Sequence, residues 1–180
     1  MERCVDALKR WTGKARATIV YDSTVDPFTG DGLFEKVKGK PNIAVVGFTT
    51  DGDVFGGYYS VAVTEQRKWF KDPDMFVFSF ESRGRCATPQ KFRVKEGWFK
   101  DWGIVMFWKN YHYGFVWFGV LVAALQCGFW LGNEESDTNC FDMSYAFEGL
   151  KDTTLTGKDG SWDKGPARHH CTRLVAVQLE

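Results

Sequence analysis

Residues 113–132 (YGFVWFGVLVAALQCGFWLG) carry no charged side chain, and a run of that length is what a helix needs to cross a bilayer. A stretch like this either spans a membrane or is buried on every side inside a core. Its residue types favour the core. Gly114, Gly119, Gly128 and Gly132 punctuate the run, and Phe, Val and Trp dominate its first part, which suits two fully buried strands joined by a tight connection around residues 123–127. The flanks offer only Lys109 on one side and the acidic Glu134 and Glu135 on the other, a thin basis for membrane orientation. No transmembrane segment is expected, and membrane association through this run is the least favoured of the functional readings.

The rest of the chain has the material for such a core. Its 180 residues are 44% apolar and include 16 Phe, 8 Trp and 6 Tyr, each aromatic able to remove roughly 150 to 250 Å² from water. One globular domain over residues 1–180 is expected, with its core at about 11–180 and a short helix over 3–11 in front. The 23 basic and 23 acidic side chains cancel, so no bulk field exists to hold a nucleic acid or an anionic membrane. The opening residues, Met-Glu-Arg-Cys-Val-Asp, lack the apolar run of a signal peptide, which makes the cytoplasm the expected location. Five widely spaced cysteines (Cys4, Cys86, Cys127, Cys140, Cys171) form neither a disulfide framework nor a zinc motif.

Local signals alternate between strands and turns. After the amphipathic segment 3–11, residues 17–21 (ATIVY) read as a strand, and residues 32–38 as a short helix with Leu33, Phe34 and Val37 on one side. Residues 42–49 and 54–63 are strand-like and separated by Thr50-Asp51-Gly52-Asp53, so Asp51-Gly52 is a hairpin turn. Gly52 supplies positive φ without a steric cost, while Gly56-Gly57 marks a bulge or a place where another segment lies against the backbone. A phosphate-cradling role would require a helix to follow, and a strand pattern follows instead. Residues 75–81 alternate, with Phe76, Phe78 and Phe80 on one face and Met75, Val77 and Ser79 on the other. Short strands are expected at 90–94, 104–108 and 173–179, a polar stretch anchored by Phe141 and Met143 at 133–144, and a loop at 152–166. Nine or ten short strands with two short helices make a mostly β chain of the α+β type: a two-sheet antiparallel β-sandwich flanked by short helices.

Several of these segments together resemble the TLDc domain. They are a strand ending in Tyr-Asp-Ser, a short Leu-Phe helix, Gly-Lys-Pro-Asn-Ile-Ala-Val-Val-Gly-Phe, and then Asp-Gly-Asp-Val-Phe-Gly-Gly-Tyr. The likeness continues through the phenylalanine-rich strand at 75–80, the Gly128-Phe129-Trp130-Leu131 segment, a Ser-x-x-Cys-like element at Ser136 to Cys140 with one extra residue, and a terminal strand at 174–179. It covers about 11–180, while residues 83–124 depart from the family pattern. The resemblance implies a two-sheet sandwich in proteins linked to oxidative-stress resistance and to binding of the V-type proton ATPase, with no secure catalytic residue and no cofactor.

The residues that could carry chemistry are few. Cys86, beside Arg85 and Arg83, is the best-placed thiol for a stabilised thiolate and so for a thiol-dependent antioxidant enzyme. His169-His170-Cys171 could present at most His169 and Cys171 to one site, since neighbours on a strand face opposite ways; no second cluster completes a ligand set, and no metal is expected. Glu134, Glu135, Asp137 and Asp142 lack calcium-loop spacing. His112 has no acid or base partner in sequence, and no Gly-x-Ser-x-Gly elbow occurs. The leading expectation is therefore a non-enzymatic interaction module. Its candidate contacts are Glu134, Glu135 and Asp137 in the acidic loop, and Lys158 and Lys164 in the 152–166 loop.

Overall fold

The computed structural model describes residues 2–96, 103–111, 114–122, 125–133, 135–136, 139–161 and 163–180. In chain order the elements are α1 (Glu2–Thr12), β1 (Ala17–Asp22), α2 (Gly30–Val37), β2 (Ile43–Thr49), β3 (Val54–Tyr59), β4 (Phe70–Lys71), β5 (Phe76–Glu81), β6 (Gln90–Arg93), β7 (Gly103–Tyr111), β8 (Gly114–Val122), β9 (Leu125–Leu131), β10 (Asn139–Phe141), α3 (Met143–Ala146), β11 (Ala167–Arg168) and β12 (Cys171–Leu179). They form two six-stranded sheets, β1-β12-β2-β3-β5-β6 and β11-β10-β9-β8-β7-β4. The paired strands run antiparallel, so the molecule is a mostly β, two-sheet sandwich with short helices.

Alternation places the core. Val45, Phe55, Tyr59 and Val77 of the first sheet meet Phe107, Phe118, Phe129 and Leu131 of the second. Phe55 packs edge-on to Phe129 at 5.3 Å, and Tyr59 likewise to Phe107 at 5.8 Å. Helix α2 lends Leu33, Phe34 and Val37 to this core, and Thr29 starts it by accepting the Gly32 N–H on its side-chain oxygen at 3.0 Å. The uncharged run becomes β8 and β9, paired throughout from Val116↔Leu131 to Val122↔Leu125; residues 112–113 and 123–124, including His112, lie outside the described residues. Two of its glycines make room for a tryptophan: a Cβ on Gly119 or Gly128 would stand 2.4 or 2.9 Å from the Trp117 ring. Among the described residues no helix is long and apolar enough to cross a membrane.

The other face of the first sheet is apolar as well, because α1 covers it. Leu8 and Trp11 lie on Phe76 and Phe78, with Trp11 stacked on Phe80 at 5.7 Å, and Lys91 on β6 donates to the Trp11 carbonyl at 3.0 Å, satisfying a group left open at the helix end. Both faces of β5 are thus buried, as its alternation of Phe with Met and Val requires.

Three expectations are revised. Among the described residues the strands number twelve and the helices three, since β4, β10, β11 and α3 are each two to four residues long and too short to show a period. Strand β3 ends at Tyr59 rather than at residue 63. The 152–166 loop is partly core: Leu155 joins the inter-sheet cluster, and Thr154 and Thr156 are buried beside it.

Candidate interaction surface

The β2–β3 hairpin is built by its turn. Gly52 has φ +85°, its N–H reaches Thr49 O at 3.1 Å, and the Asp53 N–H is held by the Thr49 hydroxyl at 3.0 Å. At Gly57, within β3, an added Cβ would stand 2.3 to 2.7 Å from the Phe118 ring of the facing sheet; at Gly56 it would stand 1.9 Å from Val45 O. The pair lies where backbone and opposite core come together.

Asp53 is 1% exposed, and its carboxylate accepts from the Arg85 guanidinium. Arg85 also donates through Nε to Thr154 O and through Nη2 to Leu155 O, each at 3.0 Å. It is aimed there by the turn after β5, in which Arg83 and Gly84 take positive φ, the Arg85 N–H reaches Ser82 O at 3.1 Å, and the Cys86 N–H reaches the Ser82 hydroxyl at 2.6 Å. One guanidinium therefore fastens three segments: the hairpin, the turn 82–85 and the long loop. Burial raises the Asp53 carboxyl above its ordinary value, and the Arg85 charge opposes that shift. Lys158 adds a second fastening, reaching Asp51 Oδ2 at 3.3 Å and Arg168 O at 3.0 Å. Further in, the Asp152 carboxylate takes the N–H and hydroxyl of Ser144 at 2.8 Å each, and the Asp142 N–H binds Gly160 O at 2.7 Å.

The candidate contacts fall into two places. Lys158 and Lys164 are exposed on the fastened loop, with Lys164 paired to Asp159. Glu135 is exposed on the 133–136 segment, where its N–H and the Ser136 hydroxyl both reach Asn133 Oδ1, at 3.1 and 2.9 Å. Glu134 and Asp137 lie outside the described residues.

Cys86, the thiol candidate, and Cys4 are half-buried, while Cys127, Cys140 and Cys171 are buried. Cys86 is half-buried against the core, and the Arg85 charge expected to stabilise its thiolate is committed to Asp53. Burial pushes the Cys127 thiol up to about 11 and the Cys171 thiol up to about 12, and raises Cys140 as well. His169 and Cys171 do turn inward together. His169 Nε2 lies 3.0 Å from Trp130 O and Nδ1 3.9 Å from Cys140 Sγ, with its ring edge-on to Phe55 at 5.1 Å. Burial holds this imidazole down at about 4. Among the described residues no group of three or more His, Cys, Asp or Glu side chains could hold a metal ion.

Asp53 and Arg85 are the residues that sequence reasoning missed in this region. Nothing local distinguishes Asp53 from Asp51 across the turn glycine, yet the first faces the sandwich and the second faces water.

The architecture defines the class: an antiparallel β-sandwich whose loops are pinned at strand ends, with helices on its flanks. The TLDc domain family model matches residues 3–159 of the 180, most of the chain, and the chain belongs to that family. No curated protein matches it. The family match ends before β11 and β12, although β12 lies between β1 and β2 in the first sheet and is as integral to it as any matched strand.

Proposed function

We propose that this TLDc domain is a non-enzymatic docking module, with V-type proton ATPase subunits as partner, acting in oxidative-stress resistance in the cytoplasm. The partner and the process are those the family resemblance implies, and the geometry supports docking as the means. The observation that carries the reading is the Asp53–Arg85 fastening, which holds the 152–158 segment against the β2–β3 hairpin and leaves Asp51, Lys158 and Lys164 exposed around it. A loop ordered before it meets its partner loses less entropy on binding, and mixed charge at its rim sets partner choice and association rate. Exposed Glu135 supplies the acidic part of the surface, and Glu134 and Asp137, its neighbours in sequence, are the candidate contacts proposed with it.

Affinity capture from the source cell with quantitation of V-type ATPase subunits tests this. Reversing Lys158 and Lys164 to Glu, or Glu134, Glu135 and Asp137 to Lys, should reduce capture; Glu135→Lys alone, at an exposed site, should do so while leaving the melting temperature within about 2 °C. The thiol-dependent antioxidant reading keeps one supporting observation, that Cys86 is only half-buried. If capture is unchanged by the charge reversals while Cys86→Ser abolishes peroxide consumption by the purified chain, docking through these loops is wrong and the thiol reading replaces it.

A further inference from the structure

We propose that the free edge of β1 is a self-association site, at which a second copy of this chain adds its own β1 antiparallel to the first. A two-sheet sandwich has four edges, and exposed edges invite pairing unless something blunts them. Strands β4 and β11 are two residues long. Strand β6 carries Lys91 and Arg93, and the segment after α3 covers it: Val94 bridges Phe147, Glu148 N–H reaches Arg93 O at 2.9 Å, and Lys95 N–H reaches Ala146 O at 3.0 Å. Strand β1 has no such device ahead of its bulge, over residues 17–19, which are uncharged and include the β-branched Thr18 and Ile19. Ile19 is 49% exposed there and Thr18 is exposed beside it.

The pairing of β1 with β12 fixes which backbone groups remain open. Arg16 and Glu180 exchange both backbone bonds, at 2.8 and 3.0 Å, and the register runs Ala17↔Leu179, Thr18↔Gln178, Ile19↔Val177. In an antiparallel ladder the bonded pairs alternate, so Thr18 faces β12 while Ala17 and Ile19 turn their N–H and C=O groups outward. A β-bulge between Ile19 and Tyr21 then breaks the register, turning Val20 and Tyr21 both toward the inter-sheet core. The open segment is thus short and centred on Thr18.

That segment is self-complementary. With a two-fold axis at Thr18, Ala17 of one copy exchanges both backbone bonds with Ile19 of the other, and Ile19 does so with the second Ala17. The two Thr18 side chains meet across the axis, a favourable cross-strand pair. No like charges oppose one another within the paired stretch, and the antiparallel sense brings the basic approach to β1, Lys14 and Arg16, toward the acidic end at Asp22 of the second copy. Arg16 already reaches Glu180 and Asp22 already holds Arg173, so these ends orient the encounter rather than form new ion pairs.

Sedimentation velocity of the full 180-residue chain over a range of concentrations should show a monomer–dimer equilibrium, with the Ala17 and Ile19 amides exchanging hydrogen more slowly as the dimer fills. Thr18→Lys sets like charges against each other at the axis and should raise the dimer dissociation constant about tenfold or more, while its exposed position leaves thermal unfolding unchanged. A chain that stays monomeric throughout overturns the proposal. So does a dimer that survives Thr18→Lys with both amides unprotected, since it would have to use another surface.

Discussion

Replacing the two members of the Asp53–Arg85 pair should have very unequal effects. Arg85→Ala leaves a carboxylate that is 1% exposed without its counter-charge and removes the donor from two loop carbonyls, Thr154 O and Leu155 O. Removing one partner of a buried ion pair costs about 3 to 5 kcal/mol, and the low end applies because the Arg85 side chain is itself 24% exposed. For a chain of this size each kcal/mol moves the melting temperature by roughly 2 to 4 °C, so a loss of about 6 to 12 °C is expected. Asp53→Asn retains an acceptor for Arg85 and removes only the buried charge. Burial raises the Asp53 carboxyl in the folded state above its unfolded value, so its contribution to stability is fully present below the unfolded value and declines as pH rises through the folded one. At neutral pH the ionised carboxylate is therefore the strained member, and Asp53→Asn should cost about 1 kcal/mol or less. The double variant should be more stable than Arg85→Ala alone, because the orphaned charge is gone. Urea unfolding at pH 7, with slopes checked for equality, measures all three. If Asp53→Asn is as damaging as Arg85→Ala, or if neither moves the midpoint, the guanidinium is not what holds the loop.

Other outcomes follow from the same geometry. Gly57→Ala forces a methyl into the Phe118 ring and should destabilise by about 2 kcal/mol or more, read as a shifted urea midpoint. Gly52→Val meets no neighbour within 4 Å but places a β-branched residue at φ +85°, so about 1 kcal/mol or more should be lost; an unchanged melting temperature would count against the turn. His169 is held at about 4 against an ordinary 6.5, so the native state refuses a proton that the unfolded state accepts. Its contribution is complete above the unfolded value and is lost as pH falls toward 4, about 3 kcal/mol in all. Urea midpoints at pH 7 and pH 4.5 should converge for His169→Phe far more than for the unaltered chain.

Periodicity and turn chemistry determined much of this protein without reference to tertiary structure. The Asp51-Gly52 hairpin, the alternating faces of β5, α1 and α2, and the reading of residues 113–132 as two buried strands are carried by neighbours a few positions apart, where side-chain direction follows from backbone geometry alone. Other features depended on groups distant in the chain. Arg85 stands next to Cys86 in sequence but binds Asp53 and the carbonyls of Thr154 and Leu155, a choice made only when the loop packs against the hairpin. Leu155 lies in a segment whose Gly, Lys and Asp content reads as solvated loop, and it is buried because the sheets converge on it. Strands β4, β10 and β11 are two or three residues long, so their pairing partners define them rather than any pattern of their own. The insertion of β12 between β1 and β2 likewise could not be read from its position at the end of the chain. Local patterning determines which way a side chain faces along its own element, whereas what it meets there is decided by segments brought together only when the sheets close.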